Sequence, residues 1–247
     1  MITITGLQHV LLDIEGTTCP VNFVSEVLFP YAHQQIPLFL ADQAENPIVQ
    51  EILTQVFDAW DQDTDPEALS LRQRSFEKNT ESAIKYLSWL IKKDRKLTPL
   101  KELQGLIWRQ GYDKKILKAP LYADVPEALR RWHHAGLRLS VYSSGSINAQ
   151  KLLYQHSTFG DLSNFFYQWF DTNVGSKQIE QSYTNIGKTL NANPETIVFI
   201  SDHKSELSAA KSAGLKVLFS QRDGNPEADN GDYIGIKNYS ELSLYAA

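Results

Sequence analysis

Four short apolar runs punctuate the chain: HVLLDIE at 9–15, LRLSVYSS at 137–144, ETIVFISD at 195–202 and LKVLFS at 215–220. Apolar residues are continuous within each run instead of alternating, which predicts strands covered on both faces. Helical patterns separate the later runs. DVPEALRRWHHAG (124–136) and HKSELSAAKSAG (203–214) both end on glycine, a helix stop signal. SINAQKLLYQHS (146–157) and SKQIEQSYTNIGKTLN (176–191) supply two more helices. FFYQWFD (165–171) reads as core and strand. Strand and helix thus alternate, and the expected fold class is α/β: a doubly wound, mostly parallel, Rossmann-like sheet.

Residues 20–120 break this rhythm and read as helical throughout. ESAIKYLSWLIKKD sets Ile84, Leu87, Leu90 and Ile91 on one stripe and closes on two lysines. LKELQGLIW (100–108) is a second amphipathic segment, and DAWDQDTDPEAL (58–69) is a polar break between helices. A structureless loop of this length is implausible. The expected organisation is a core domain of residues 1–19 and 121–247, with a helical domain of residues 20–120 inserted after the first core strand.

Composition narrows the setting. The chain has 247 residues, 42% of them hydrophobic, and a net charge of −5. A phosphate backbone demands a basic face, so nucleic acid is not an expected partner. Small phosphorylated substrates stay compatible, because one site can be basic inside an acidic protein. The single cysteine, Cys19, excludes an internal disulfide and fits a reducing compartment. Neither a signal segment nor a membrane-length apolar stretch is seen. A cytoplasmic monomer with no membrane partner is expected.

The candidate chemistry lies where strands end, which is where ligands bind in a parallel α/β sheet. The first run ends on Asp13 and Glu15, the second on Ser143, Ser144 and Gly145, the third on Ser201 and Asp202. Asp13 is a nucleophile able to form an acyl phosphate, or a turn aspartate. Glu15 shares its face while the chain stays extended and could act as the acid. The oxygens of Asp13, Glu15 and Asp202 suit Mg²⁺. Asp202 reads equally as a helix N-cap, and Glu206 as a first-turn acid or as support for a metal site. Ser143, Ser144 and Gly145 form an anion-binding start to a helix or an ordinary serine cap. Lys177, read as lying at a helix start, opposes the helix dipole unless it holds a phosphate. The histidines share no metal-ligand spacing.

In this order and spacing, Asp13-x-Glu15-x-Thr17, Ser143, Lys177 and Asp202 resemble the haloacid dehalogenase superfamily of phosphohydrolases. Glutamate replaces the superfamily's usual second aspartate. LLDIEGTT, LFPY (28–31), VYSSGS (141–146) with AQKLL (149–153), and FISDHKSELSAA (199–210) resemble its enolase-phosphatase family of methionine salvage. That resemblance implies a small phosphorylated diketone as substrate and one Mg²⁺ per site. It implies Asp13, Glu15 and Asp202 at the metal, and Ser143, Ser144 and Lys177 on the substrate phosphate. It also implies catalytic roles for Asp13, Glu15 and Lys177, and a cap role for the helical insert. A general phosphate-monoester phosphatase of the same superfamily is the alternative.

Overall fold

The structure, a computed structural model, describes residues 1–75 and 77–246; Ala247, the last residue of the expected core, lies outside them. Elements run in the order β1 (Ile2–Leu7), β2 (His9–Leu12), α1 (Phe29–Asp42), α2 (Pro47–Gln62), α3 (Pro66–Arg74), α4 (Thr80–Lys92), α5 (Thr98–Asp113) and α6 (Val125–His134). Then follow β3 (Arg138–Tyr142), α7 (Ile147–Gln155), β4 (Phe166–Phe170), α8 (Glu180–Leu190), β5 (Ile197–Ser201), α9 (Lys204–Ser212), β6 (Lys216–Ser220), β7 (Gly235–Ile236) and β8 (Leu242–Ala246). The chain divides into two compact units, Met1–Val24 with Lys118–Ala247, and Ser25–Leu117. These bounds differ by a few residues from those expected.

The first unit holds a six-stranded parallel sheet in the order β4-β3-β2-β5-β6-β7. The four apolar runs are β2, β3, β5 and β6, and the aromatic run is the edge strand β4. Leu11, Phe199 and Phe219 join Tyr183 and Ile186 of α8 and Leu207 of α9 in one core cluster. Their alternates Val10, Leu12, Val198 and Ile200 are also fully buried, so both faces are covered. Continuous apolarity follows from that double burial. From β2 the chain winds first through β3 and β4 on one side, then through β5 to β7 on the other. The reversal makes β2 the switch point, where a crevice opens at the carboxyl ends of the strands. β1 and β8 form a separate parallel pair.

The second unit is helical. Asn46 and Asp65 cap α2 and α3 by accepting from Ile48 N and Glu67 N, with a proline at the first turn of each. Asn79 and Ser82 form a reciprocal capping box on α4. The buried face of α4 is turned from the expected stripe: Ala83, Tyr86, Leu87, Trp89 and Leu90 are buried, while Ile84 and Ile91 flank it. The cause is aromatic packing. Trp60 stacks on Tyr86 with centroids 4.7 Å apart, and Tyr86 stacks on Trp89 at 5.8 Å. Among the described residues no helix is long and apolar enough to cross a membrane.

Candidate active site

Asp13 follows directly on β2, the switch-point strand, and is 6% exposed. Its N–H still donates to Ile200 O of β5 at 3.0 Å, so the backbone there is held by the sheet. The chain then bends at Ile14, whose carbonyl accepts from Thr17, Thr18 and Cys19 N–H at 3.1, 2.8 and 2.9 Å. The named strand ends at Leu12, and the same-face expectation for Glu15 holds only as far as the chain stays extended. Cys19 is a buried free thiol, pushed upward in pKa by burial first and by the charge of Glu15 second. That suits a packing residue, not a nucleophile.

Lys177 reaches the same point from the loop between β4 and α8. Its Nζ lies 2.5 Å from Asp13 Oδ1 and 2.7 Å from Glu206 Oε2, and the residue is 9% exposed. The helix begins only at Glu180, so Lys177 is not in a first helical turn, as its sequence position suggests. Its placement comes from the loop. Tyr142 OH donates to Gly175 O at 2.9 Å, Ser182 Oγ to Ser176 O at 2.7 Å and Tyr183 OH to Lys177 O at 2.7 Å. Three consecutive carbonyls are thus pinned by side chains. Burial alone disfavours the ammonium, but the charges of Asp13 and Glu206 outweigh it and raise the Lys177 pKa. Glu206 in turn accepts from Ser201 Oγ at 2.8 Å. Burial, then the charge of Asp13, raise its carboxyl pKa against the pull of Lys177.

Asp202 follows β5. It is not the cap of α9: His203 is the N-cap residue, and its N–H donates to Ser201 Oγ at 3.2 Å. Burial, then the negative charge of Asp13, raise the Asp202 carboxyl to about 7. Its Oδ2 lies where a Cβ on Gly16 would be, 2.1 Å from that position, and Gly16 has φ +68°. Only glycine serves both the turn and the close approach. Asn225 Oδ1 closes on the same position at 2.8 Å and is a buried oxygen with no hydrogen-bond partner. The side chains of Asp13, Glu15 and Asp202 do not gather as a three-acid cluster. Among the described residues no group of three or more His, Cys, Asp or Glu could hold a metal. A hard cation nonetheless fits the oxygens that do converge, because Asp202 and an orphaned amide oxygen face a cradle that a Cβ would fill.

Ser143 is buried and Ser144 exposed in the turn after β3. Gly145 N–H donates to Ser143 Oγ at 3.3 Å, and Ser143 N–H to Phe170 O at 3.2 Å. The helix cap is Ser146, whose Oγ accepts from Ala149 N, so the serine pair lies ahead of α7 and not on its first turn. Gln150 braces this turn by donating to Gly145 O and Phe170 O, both at 2.8 Å.

A profile of haloacid dehalogenase-like hydrolases matches residues 7–214. The chain belongs to this family. The hydrolase is 46% identical to "Enolase-phosphatase E1" of Parasynechococcus marenigrum, across 97% of this chain and 99% of that protein. It is 42% identical to the protein of the same name from Aquifex aeolicus, across 96% and 100%. Among solved structures, UTR4 protein of Saccharomyces cerevisiae matches with a TM-score of 0.75 at 35% identity, covering 96% of this chain and 100% of that one. In this hydrolase, the fold brings Asp13 and Lys177 into contact and sets Asp202 beside Gly16. Ser143 and Ser144 share the strand-end edge of the same sheet. Tyr142, Tyr183, Gln150 and Asn225 escape sequence reasoning. Tyr142 lies in an apolar run, Gln150 and Tyr183 lie in helical segments, and no motif marks Asn225.

Proposed function

We propose that this hydrolase is a Mg²⁺-dependent enolase-phosphatase. It converts 2,3-diketo-5-methylthiopentyl-1-phosphate to 1,2-dihydroxy-3-keto-5-methylthiopentene and phosphate in methionine salvage. The observation that carries this reading is the buried Asp13 carboxylate at the switch-point strand, with Lys177 Nζ 2.5 Å from one of its oxygens. The relatives named Enolase-phosphatase E1 match nearly end to end, which supports the substrate.

Hydrolysis of a phosphate ester needs its barrier lowered by on the order of 20 kcal/mol, more than one group supplies. Lys177 holds Asp13 Oδ1, leaving Oδ2 for attack on phosphorus. The new O–P bond makes an acyl phosphate, and the bond from phosphorus to the substrate oxygen breaks. Glu15 gives that oxygen its proton and then accepts one from the water that releases phosphate. Ser143 and Ser144 hydrogen-bond the phosphate oxygens, and Lys177 neutralises them. Asp13, Asp202 and an oxygen of Glu15 would hold the Mg²⁺. When bound, it neutralises phosphoryl charge and polarises the diketone. The helical unit serves as the cap, and the setting is a reducing cytoplasm.

The test follows enediol absorbance and phosphate together, with pure protein, the diketone phosphate and Mg²⁺. Both signals should rise, and both should disappear with EDTA. Asp13→Asn should abolish phosphate release. Full turnover by Asp13→Asn would sink the assignment. Equal or faster hydrolysis of simple monoesters would favour a general phosphatase.

A further inference from the structure

Asn225 lies in the loop between β6 and β7, far from any acid in the sequence motifs. Its Nδ2 donates to Gly16 O at 2.8 Å and to Ser220 O at 3.1 Å. Both acceptors are carbonyls, so the orientation of the amide is determined: turned over, it would set its own oxygen against two others. Oδ1 must therefore point away from them. It is buried, has no partner, and stands 2.8 Å from where a Gly16 Cβ would be. Asp202 Oδ2 stands 2.1 Å from that same position. A fixed acceptor, buried and unsatisfied next to a carboxylate, needs a donor to arrive.

We propose that Asn225 is a positioning residue for the divalent cation, its Oδ1 accepting a hydrogen bond from water carried on that cation. Mg²⁺ dehydrates reluctantly and keeps several waters when protein-bound, so such a donor is available. The proposal rests on the reading that Asp13 and Asp202 hold Mg²⁺. Outer partners of this kind orient the bound ion, and losing one weakens binding about 10- to 100-fold. Asn225 also steadies Gly16 O, but it shares that task. Ser220 Oγ donates to the same carbonyl at 2.8 Å and is not among the three atoms nearest the Gly16 Cβ position. Ser220 is thus the natural control.

The test titrates the full chain with Mg²⁺ alone by calorimetry, so substrate and turnover do not enter. Asn225→Ala should weaken Mg²⁺ binding about tenfold or more, while Ser220→Ala stays close to wild type. Where the alanine variant fails to fold, Asn225→Thr keeps a hydroxyl near Gly16 O and should show the same loss. Unchanged affinity in the Asn225 variants overturns the proposal and leaves the cation reading standing. Equal weakening by Ser220→Ala also overturns it, because Asn225 would then act only through the Gly16 turn. A wild-type chain that binds no Mg²⁺ overturns both.

Discussion

Lys177 joins two buried carboxylates, Asp13 and Glu206, that would otherwise repel each other. Pairing with both offsets the cost of burying all three charges. Lys177→Met removes the shared cation and leaves two acids facing each other out of water. Stability should fall by about 3–5 kcal/mol, as when one partner of a buried pair is deleted. Urea unfolding checks this, and phosphate release should vanish in parallel. A loss below about 1 kcal/mol, the scale of an exposed ion pair, would mean that the triad does not hold the site together. The same residue marks a limit of sequence reading. A lysine before a helix is visible in the sequence, but its partners are far along the chain, at Asp13 and Glu206. The real helix start, three residues later, also removes the dipole argument that first singled it out.

At the scale of the element, β2 carries both ends of the story. Its last residues deliver Asp13, and its first residue, His9, is buried between Arg138 and Ile197 on the neighbouring strands. Burial first, and the charge of Arg138 second, lower the His9 pKa to about 4. In the unfolded chain the imidazole titrates near 6.5, so between these values the unfolded state binds the proton and the folded state does not. The stability that His9 contributes is full above pH 6.5 and drains away as pH falls toward 4. Between pH 7.5 and pH 5 the loss amounts to about 2 kcal/mol. Urea unfolding of wild type and His9→Phe at both values isolates it. The variant should lack that increment of acid sensitivity, and identical pH slopes would refute the assignment.

On the whole-molecule scale the proposed cation would be a stability ligand. Anything that binds only the folded state stabilises it by mass action, about 2.7 kcal/mol at a hundred times Kd. Mg²⁺ should therefore raise the urea midpoint, and EDTA should reverse the gain. Asp202→Asn, which removes a proposed ligand, should blunt it. A midpoint indifferent to Mg²⁺ would argue against a cation site. The helical unit, with its own capped helices and stacked aromatics, has a separate core, and its presence was legible because a hundred residues without strand pattern must fold as something.

The sequence by itself determined the α/β class, the four inner strands and the ends of those strands as the place for chemistry. Those features depend on local pattern: continuous apolarity for double burial, and glycine or proline at helix ends. Asp13, Ser143 and Asp202 could be named because each follows its strand directly. The strands β1, β7 and β8 could not: β7 has two residues, and β1 and β8 pair outside the main sheet, half-exposed and without a continuous apolar run. Only the tertiary structure decided what touches what. It ended the first inner strand in a turn by gathering three N–H groups on Ile14 O, and it fastened the Lys177 loop with Tyr142, Ser182 and Tyr183. It also brought Asn225 to Gly16. These are contacts between residues far apart in the chain or turns settled by backbone hydrogen bonds, and no local periodicity encodes either.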